Sequence, residues 1–146
     1  MERQAIAALI PHAGDMVLVE RVEEWSAEGI RCRTGCHRWA ANPLRRAGRL
    51  EAIQALEIGA QAVAVHASLL AAEAGGGEGG VKYLAAVRDL AVTDGALDDI
   101  AEDLVINATC LVSQGEHGIY QLEVVAGERE ILTGQITVMG QPSEGP

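Results

Sequence analysis

The chain has 146 residues, enough for one domain with a real core, and 49% of it is apolar although it has no phenylalanine, so Ala, Val, Ile and Leu must fill that core. Its 21 Asp and Glu against 11 Lys and Arg, a net charge of −10, argue against a general nucleic-acid binder. Three cysteines, an odd number, and an N-terminus (MERQAIAALIPHAG) without a charged-then-apolar signal pattern point to a cytoplasmic protein with free thiols.

In chain order, residues Arg3 to Leu9 suit a short helix that Ile10-Pro11 ends, with His12-Ala13-Gly14-Asp15 as a turn. Met16 to Trp25 alternates as a strand, and after Ser26-Ala27-Glu28-Gly29 a second strand, Ile30 to about Cys36, returns as a hairpin. His37 to Gly48 is irregular, with Asn42-Pro43 as a turn signal. Arg49 to Ala72 is then a long run of helix formers without proline, apolar on nearly every face, which predicts a buried helix. A membrane span is the competing reading of that length; Glu57, two glutamines, His66 and the many weakly hydrophobic alanines speak against it.

The helix is expected to stop at Gly75-Gly76-Gly77-Glu78-Gly79-Gly80, a flexible linker. Strands follow at Val81 to Val92, interrupted somewhere, at Asp103 to Val112, Ile119 to Val125 and Glu130 to Met139. An acidic loop, Asp94 to Asp103, reads as solvated surface, and Gln141 to Pro146 as a disordered tail after a single domain over residues 1–140. Two strands, one long helix and then a run of strands favour an α+β domain with an antiparallel sheet packed on one helix.

The polar positions of the helix carry the chemical information. Glu57 and Gln61 are four apart on one face, with Gln54 one turn earlier and Ser68 further along the same stripe. A carboxylate in apolar surroundings is costly unless paired or used. His66, nine residues from Glu57, falls on the opposite side and reads as a satisfied core histidine. From Arg31 to Arg49 the chain holds six of its 11 basic residues and no acid, either a solvated face or a docking patch for an anionic partner. Cys32-x-x-x-Cys36-His37 lacks a second ligand pair, so no metal site is expected.

A single antiparallel sheet curled round one long buried helix is the hotdog architecture. The chain resembles the hotdog 3-hydroxyacyl-[acyl carrier protein] dehydratases, closest to their aryl-polyene and type II polyketide branch. The resemblance rests on Ile10-Pro11-His12, on the strand ending Glu20-Arg21-Val22, on Leu56-Glu57-Ile58-Gly59-Ala60-Gln61-Ala62, and on the run from His37-Arg38 through Asn42-Pro43-Leu44-Arg45-Arg46 to Gly48-Arg49-Leu50. It implies removal of water from a carrier-bound 3-hydroxyacyl thioester in fatty acid, polyketide or aryl-polyene synthesis. No cofactor is expected beyond the phosphopantetheine that carries the substrate. It also implies a homodimer or a heterodimer with another hotdog subunit.

That reaction needs a base for a C2 proton, an acid for the departing 3-hydroxyl and donors for the thioester oxygen. Glu57 matches the acidic residue of the family, and Gln61 is placed to orient it. The base is the departure: the slot of the histidine in the housekeeping enzymes falls at Asn42-Pro43, and His37, 20 residues before Glu57, is the nearest upstream alternative. Gly48 and Arg49, at the expected helix start, are candidates to hold the thioester carbonyl, with Asn42 and His12 as further substrate-tunnel residues. Arg38, Arg45 and Arg46 are candidates for docking the acidic carrier. Two other readings stand beside this one, a hotdog acyl thioesterase and a catalytically weak subunit of a heteromeric dehydratase.

Overall fold

A computed structural model describes residues 1–9, 17–75, 82–114 and 117–140. The elements are α1 (Arg3–Ala7), β1 (Arg21–Ser26), β2 (Gly29–Thr34), α2 (Ala55–Glu73), β3 (Lys82–Val92), β4 (Leu104–Gln114), β5 (His117–Ala126) and β6 (Arg129–Gly140). The strands form one sheet in the order β1-β2-β4-β5-β6-β3, every neighbouring pair antiparallel. The predicted architecture of one antiparallel sheet on one long helix is the observed one. Expected turns and linkers at His12 to Asp15 and Gly76 to Gly80, and the tail, lie outside the described residues.

The sheet presents its apolar face to α2 through strict alternation. Gly118, Tyr120, Leu122, Val124 and Ala126 of β5 are buried, as are Leu132, Gly134, Ile136 and Val138 of β6, while the residues between them face outward. Against them α2 buries 11 residues, Ile58, Ala62, Val63 and Val65 among them. Residues 52–73 have the length and composition to cross a membrane, but 61% of their most apolar 18-residue window is buried inside the chain, and this packing accounts for its apolarity. Gly59 marks the closest approach of helix to sheet: a Cβ there would lie 2.5 Å from Leu122 Cδ2.

His66 ties the helix to β1 and β5. Its Nε2 lies 2.7 Å from the Ser26 carbonyl, which can only accept, so Nε2 carries the proton and Nδ1 accepts from the Tyr120 hydroxyl at 2.6 Å. Burial holds the imidazole below its ordinary 6.5 and pushes the tyrosine up, so both partners stay neutral. It is the satisfied core histidine expected from its place on the helix.

Three boundaries differ from expectation, each for a tertiary reason. The strand expected from Met16 begins at Arg21, because residues 17–20 leave the ladder. Val17, Leu18 and Val19 are all buried, and the Leu18 backbone is satisfied by side chains, its N–H by Gln61 Oε1 at 2.8 Å and its carbonyl by Thr34 Oγ1 at 2.5 Å. The helix expected from Arg49 begins three residues later, with a 3₁₀ turn at Ala52–Gln54. Arg46 and Arg49 exchange backbone hydrogen bonds across a tight turn, with Ala47 and Gly48 both at positive φ, and Glu51 then pairs with Ala96. The interruption expected within the third strand is a pair of bulges in β3, between Leu84 and Ala86 and between Arg88 and Ala91, with Asp89 at φ 52°.

Candidate active site

Glu57 stands in the first turn of α2, half-buried. Gln61, one turn on, is 1% exposed, and its amide oxygen accepts the Leu18 N–H. The spacing that suggested a working pair thus places a carboxylate beside an amide that is itself fixed to the backbone of a neighbouring segment.

His37 lies in a 3₁₀ turn, Cys36–Arg38, and its ring is wholly buried. Its Nε2 is 3.0 Å from the Ile100 carbonyl, so Nε2 is the protonated nitrogen, and Nδ1 has no hydrogen-bond partner among the described residues. Burial, above all, lowers the pKa of this imidazole. The result is a buried histidine whose tautomer is fixed by the Ile100 carbonyl and whose pKa is lowered, which favours the neutral form. Its ring packs on the segment around Leu97–Asp99, a neighbour that sequence spacing from Glu57 does not reveal.

The loop between His37 and α2 is organised from within. Asn42, 3% exposed, donates from Nδ2 to the Cys36 carbonyl at 2.8 Å and accepts the Leu44 N–H on Oδ1 at 2.8 Å. Both ends of its amide are engaged by loop backbone, so the loop explains this residue without a substrate contact. Gly48 and Arg49 do not form the helix start: they belong to the tight turn, and the Arg49 N–H is given to the Arg46 carbonyl at 2.9 Å. That corrects the expectation that Gly48 and Arg49 open the helix, and the Arg49 N–H is not free there for a thioester carbonyl. His12 lies outside the described residues.

The arginine block is largely spent inside the chain. Arg45, with its side chain 16% exposed, sends Nε to the Trp39 carbonyl at 2.8 Å, Nη1 to the Gly48 carbonyl at 3.0 Å and Nη2 to the His37 carbonyl at 3.1 Å, with Asp98 3.9 Å away. Arg38 holds the Ala101 carbonyl at 2.8 Å and Asp103 at 2.5 Å, and Arg49 meets Asp98 at 3.2 Å and Asp99 at 3.1 Å. Arg46, exposed, meets with its side chain the carbonyls of Pro43 and Arg45. The acidic loop expected to be solvated surface is therefore the counter-charge of the block. The Leu50 N–H keeps the Asp98 carboxyl below the usual carboxylate range, and Arg38 does so for Asp103. Arg45 in particular reads as a clamp on loop carbonyls, a role with no local signal because its partners come from both ends of the loop.

The two buried cysteines near the site are inert: burial pushes the Cys32 thiol up to about 12 and Cys36 to about 11, far from a thiolate at neutral pH.

A six-stranded antiparallel sheet wrapped on one long helix defines a hotdog protein. The chain belongs to the ApeP-like family, described as ApeP dehydratase, whose model matches residues 4–145. It is a hydro-lyase of that family. Among solved structures it is similar to the dehydratase heterocomplex ApeI:P from Xenorhabdus doucetiae, at 20% identity and a TM-score of 0.82, over 94% of this chain and 91% of that one. It is also similar to AziG from S. sahachiroi, at 14% identity and a TM-score of 0.62, over 90% and 97% of the two chains. A hypothetical thioesterase from Streptococcus pneumoniae, solved with coenzyme A, shares the fold at 14% identity and a TM-score of 0.55, over 83% and 84%. No curated protein matches the sequence at a significant level.

Proposed function

We propose that this chain removes water from 3-hydroxyacyl thioesters carried on the phosphopantetheine arm of an acyl carrier protein, in fatty acid, polyketide or aryl-polyene synthesis, paired with a second hotdog subunit. The carrying observation is the Glu57–Gln61 pair at the start of α2 in a chain of the dehydratase family. In this reading His37 Nδ1 takes the C2 proton, the C2–H electrons form the C2=C3 bond, and the C3–O bond breaks as Glu57 delivers its proton to the hydroxyl, releasing water. The positive end of the α2 dipole lies on the same side as Glu57 and favours the negative charge growing on the thioester oxygen. No cofactor of the chain's own is needed, and three free cysteines suit the reducing cytoplasm.

The pairing is supported by β3, which ends the sheet with an edge that no strand among the described residues covers. Leu84, Val87 and Leu90 on that strand are 37%, 36% and 38% exposed, an apolar strip on the sheet margin. Two copies of the chain would double a net charge of −10, which favours a less acidic partner over a second copy. For the acidic carrier, Arg46 is the member of the arginine block that meets no carboxylate among the described residues, with Arg38 and Arg49 near it in sequence but already paired. The complete burial of His37 favours one second reading, a subunit that supports catalysis in its partner.

A mass-spectrometric time course on a 3-hydroxyacyl carrier, with and without a partner hotdog chain, tests both. Loss of 18 mass units, the mass of water, abolished by Glu57→Gln and by His37→Ala, is the expected result. Turnover that needs the partner and survives both changes makes the chain the supporting subunit, and release of free acid makes it a thioesterase.

A further inference from the structure

Among the described residues, two buried side-chain polar atoms have no hydrogen-bond partner: His37 Nδ1 and Gln54 Oε1. Buried polar groups are overwhelmingly paired, so an orphaned acceptor asks for a donor that supplies what is missing. The reading above uses His37. Gln54 remains, and it closes the 3₁₀ turn that runs directly into α2. Its place is three residues before Glu57 and seven before Gln61, on the helix face those two share.

We propose that Gln54 Oε1 accepts the hydrogen bond of the substrate's 3-hydroxyl and thereby makes the site select 3-hydroxyacyl over unsubstituted acyl chains. The inference rests on the dehydratase reading and deepens it. An amide oxygen is an acceptor only, so its missing partner is a donor. Around C2 and C3 of a 3-hydroxyacyl thioester the hydroxyl is the one such donor; the carbonyl and sulfur have no proton to give. The assignment also fits the chemistry. The hydroxyl hydrogen points to Gln54 while an oxygen lone pair receives the proton of Glu57, so the same oxygen leaves as water with both hydrogens in place. A saturated chain in the same position leaves Oε1 unpaired, and sites built for a hydroxyl reject analogues that lack it for this reason.

The test compares binding of 3-hydroxyoctanoyl-pantetheine and octanoyl-pantetheine to the wild-type chain and to Gln54→Met, alongside turnover and thermal melting. Wild type is expected to prefer the hydroxylated probe by about tenfold, the worth of one buried hydrogen bond. Gln54→Met should erase that preference while leaving octanoyl-pantetheine affinity unchanged, and its melting temperature should hold, since an orphaned acceptor is removed. Equal affinity of wild type for the two probes overturns the proposal whatever the variant does, as does a uniform loss of both affinities in Gln54→Met. A chain that fails to release water yet keeps a Gln54-dependent preference sinks the reaction and leaves the hydroxyl contact standing; one that dehydrates with the preference untouched by Gln54→Met sinks the contact alone.

Discussion

Replacing Arg45 with Met separates a clamp from a docking residue. Met keeps much of the stem and removes the guanidinium, hence three hydrogen bonds to the carbonyls of Trp39, Gly48 and His37 at 2.8 to 3.1 Å. A charged donor on a carbonyl contributes roughly 1.5–3 kcal/mol, and the lower end applies where water can reach part of the side chain, so we discount each bond to about 1 kcal/mol and expect a loss of about 3 kcal/mol. With a urea m-value of about 2 kcal/mol per molar, the midpoint of unfolding should fall by about 1.5 M. Arg45→Lys should recover at most about a third of this, because one ammonium cannot span three carbonyls set around a planar fork. Equilibrium urea unfolding, followed by tryptophan fluorescence, reads the shift. A midpoint within about 0.3 M of wild type for Arg45→Met, combined with a large loss of carrier affinity, would refute the clamp and return Arg45 to the docking surface.

Gly59→Ala gains about 1 kcal/mol of helix propensity but must push on the buried Leu122 side chain, whose overpacking costs about 1–3 kcal/mol, so a modest net loss is expected. Leu122→Val should be less harmful in the Gly59→Ala background than in wild type, which a double-mutant cycle by urea unfolding reads directly. Stability should fall on acidification below about pH 6.5, at up to about 1.4 kcal/mol per pH unit for each of His37 and His66. Both are held neutral in the fold with lowered pKa, so the unfolded chain binds the protons there. Asp98 and Asp103 are lowered as well and lose their contribution only below the ordinary carboxylate range near 3.8, so urea midpoints at pH 7.5, 6 and 5 isolate the histidines, and a flat series would contradict the shifts.

The fold was legible because its elements are periodic. Alternation in β5 and β6 and the all-round apolarity of α2 are properties of short windows, and both predict burial correctly. The misplaced ends share a cause. Residues 17–20 have the composition of a strand, but two side chains, Gln61 on α2 and Thr34 at the end of β2, satisfy the Leu18 backbone in place of a neighbouring strand's backbone. Residues 49–51 have the composition of a helix, but Glu51 is drawn into pairing with Ala96, and the Leu50 carbonyl takes the Leu97 N–H. Nothing within a window of ten residues reports partners 16 to 47 residues away.

The same distinction divides the candidate site. Glu57 and Gln61 could be seen as neighbours because 3.6 residues per turn makes four residues a contact. The arginines could be seen as a block but not as a neutralised one, since Asp103 is 65 residues from Arg38 and Asp98 is 48 from Leu50. Charge along the chain measures what a segment carries, whereas a docking surface depends on what remains after the fold has paired it. Here Asp98, Asp99 and Asp103 return to the very segment that looked free, and the guanidinium of Arg45 turns inward to its own loop. His37 is the converse case. Its separation from Glu57 said little for a catalytic role, but the Ile100 carbonyl that fixes its tautomer and leaves Nδ1 open is supplied by the same returning segment. The acidic loop thus performs two tasks that its sequence does not announce: it neutralises the arginines of the 37–50 loop, and it fixes the tautomer of the histidine at that loop's start.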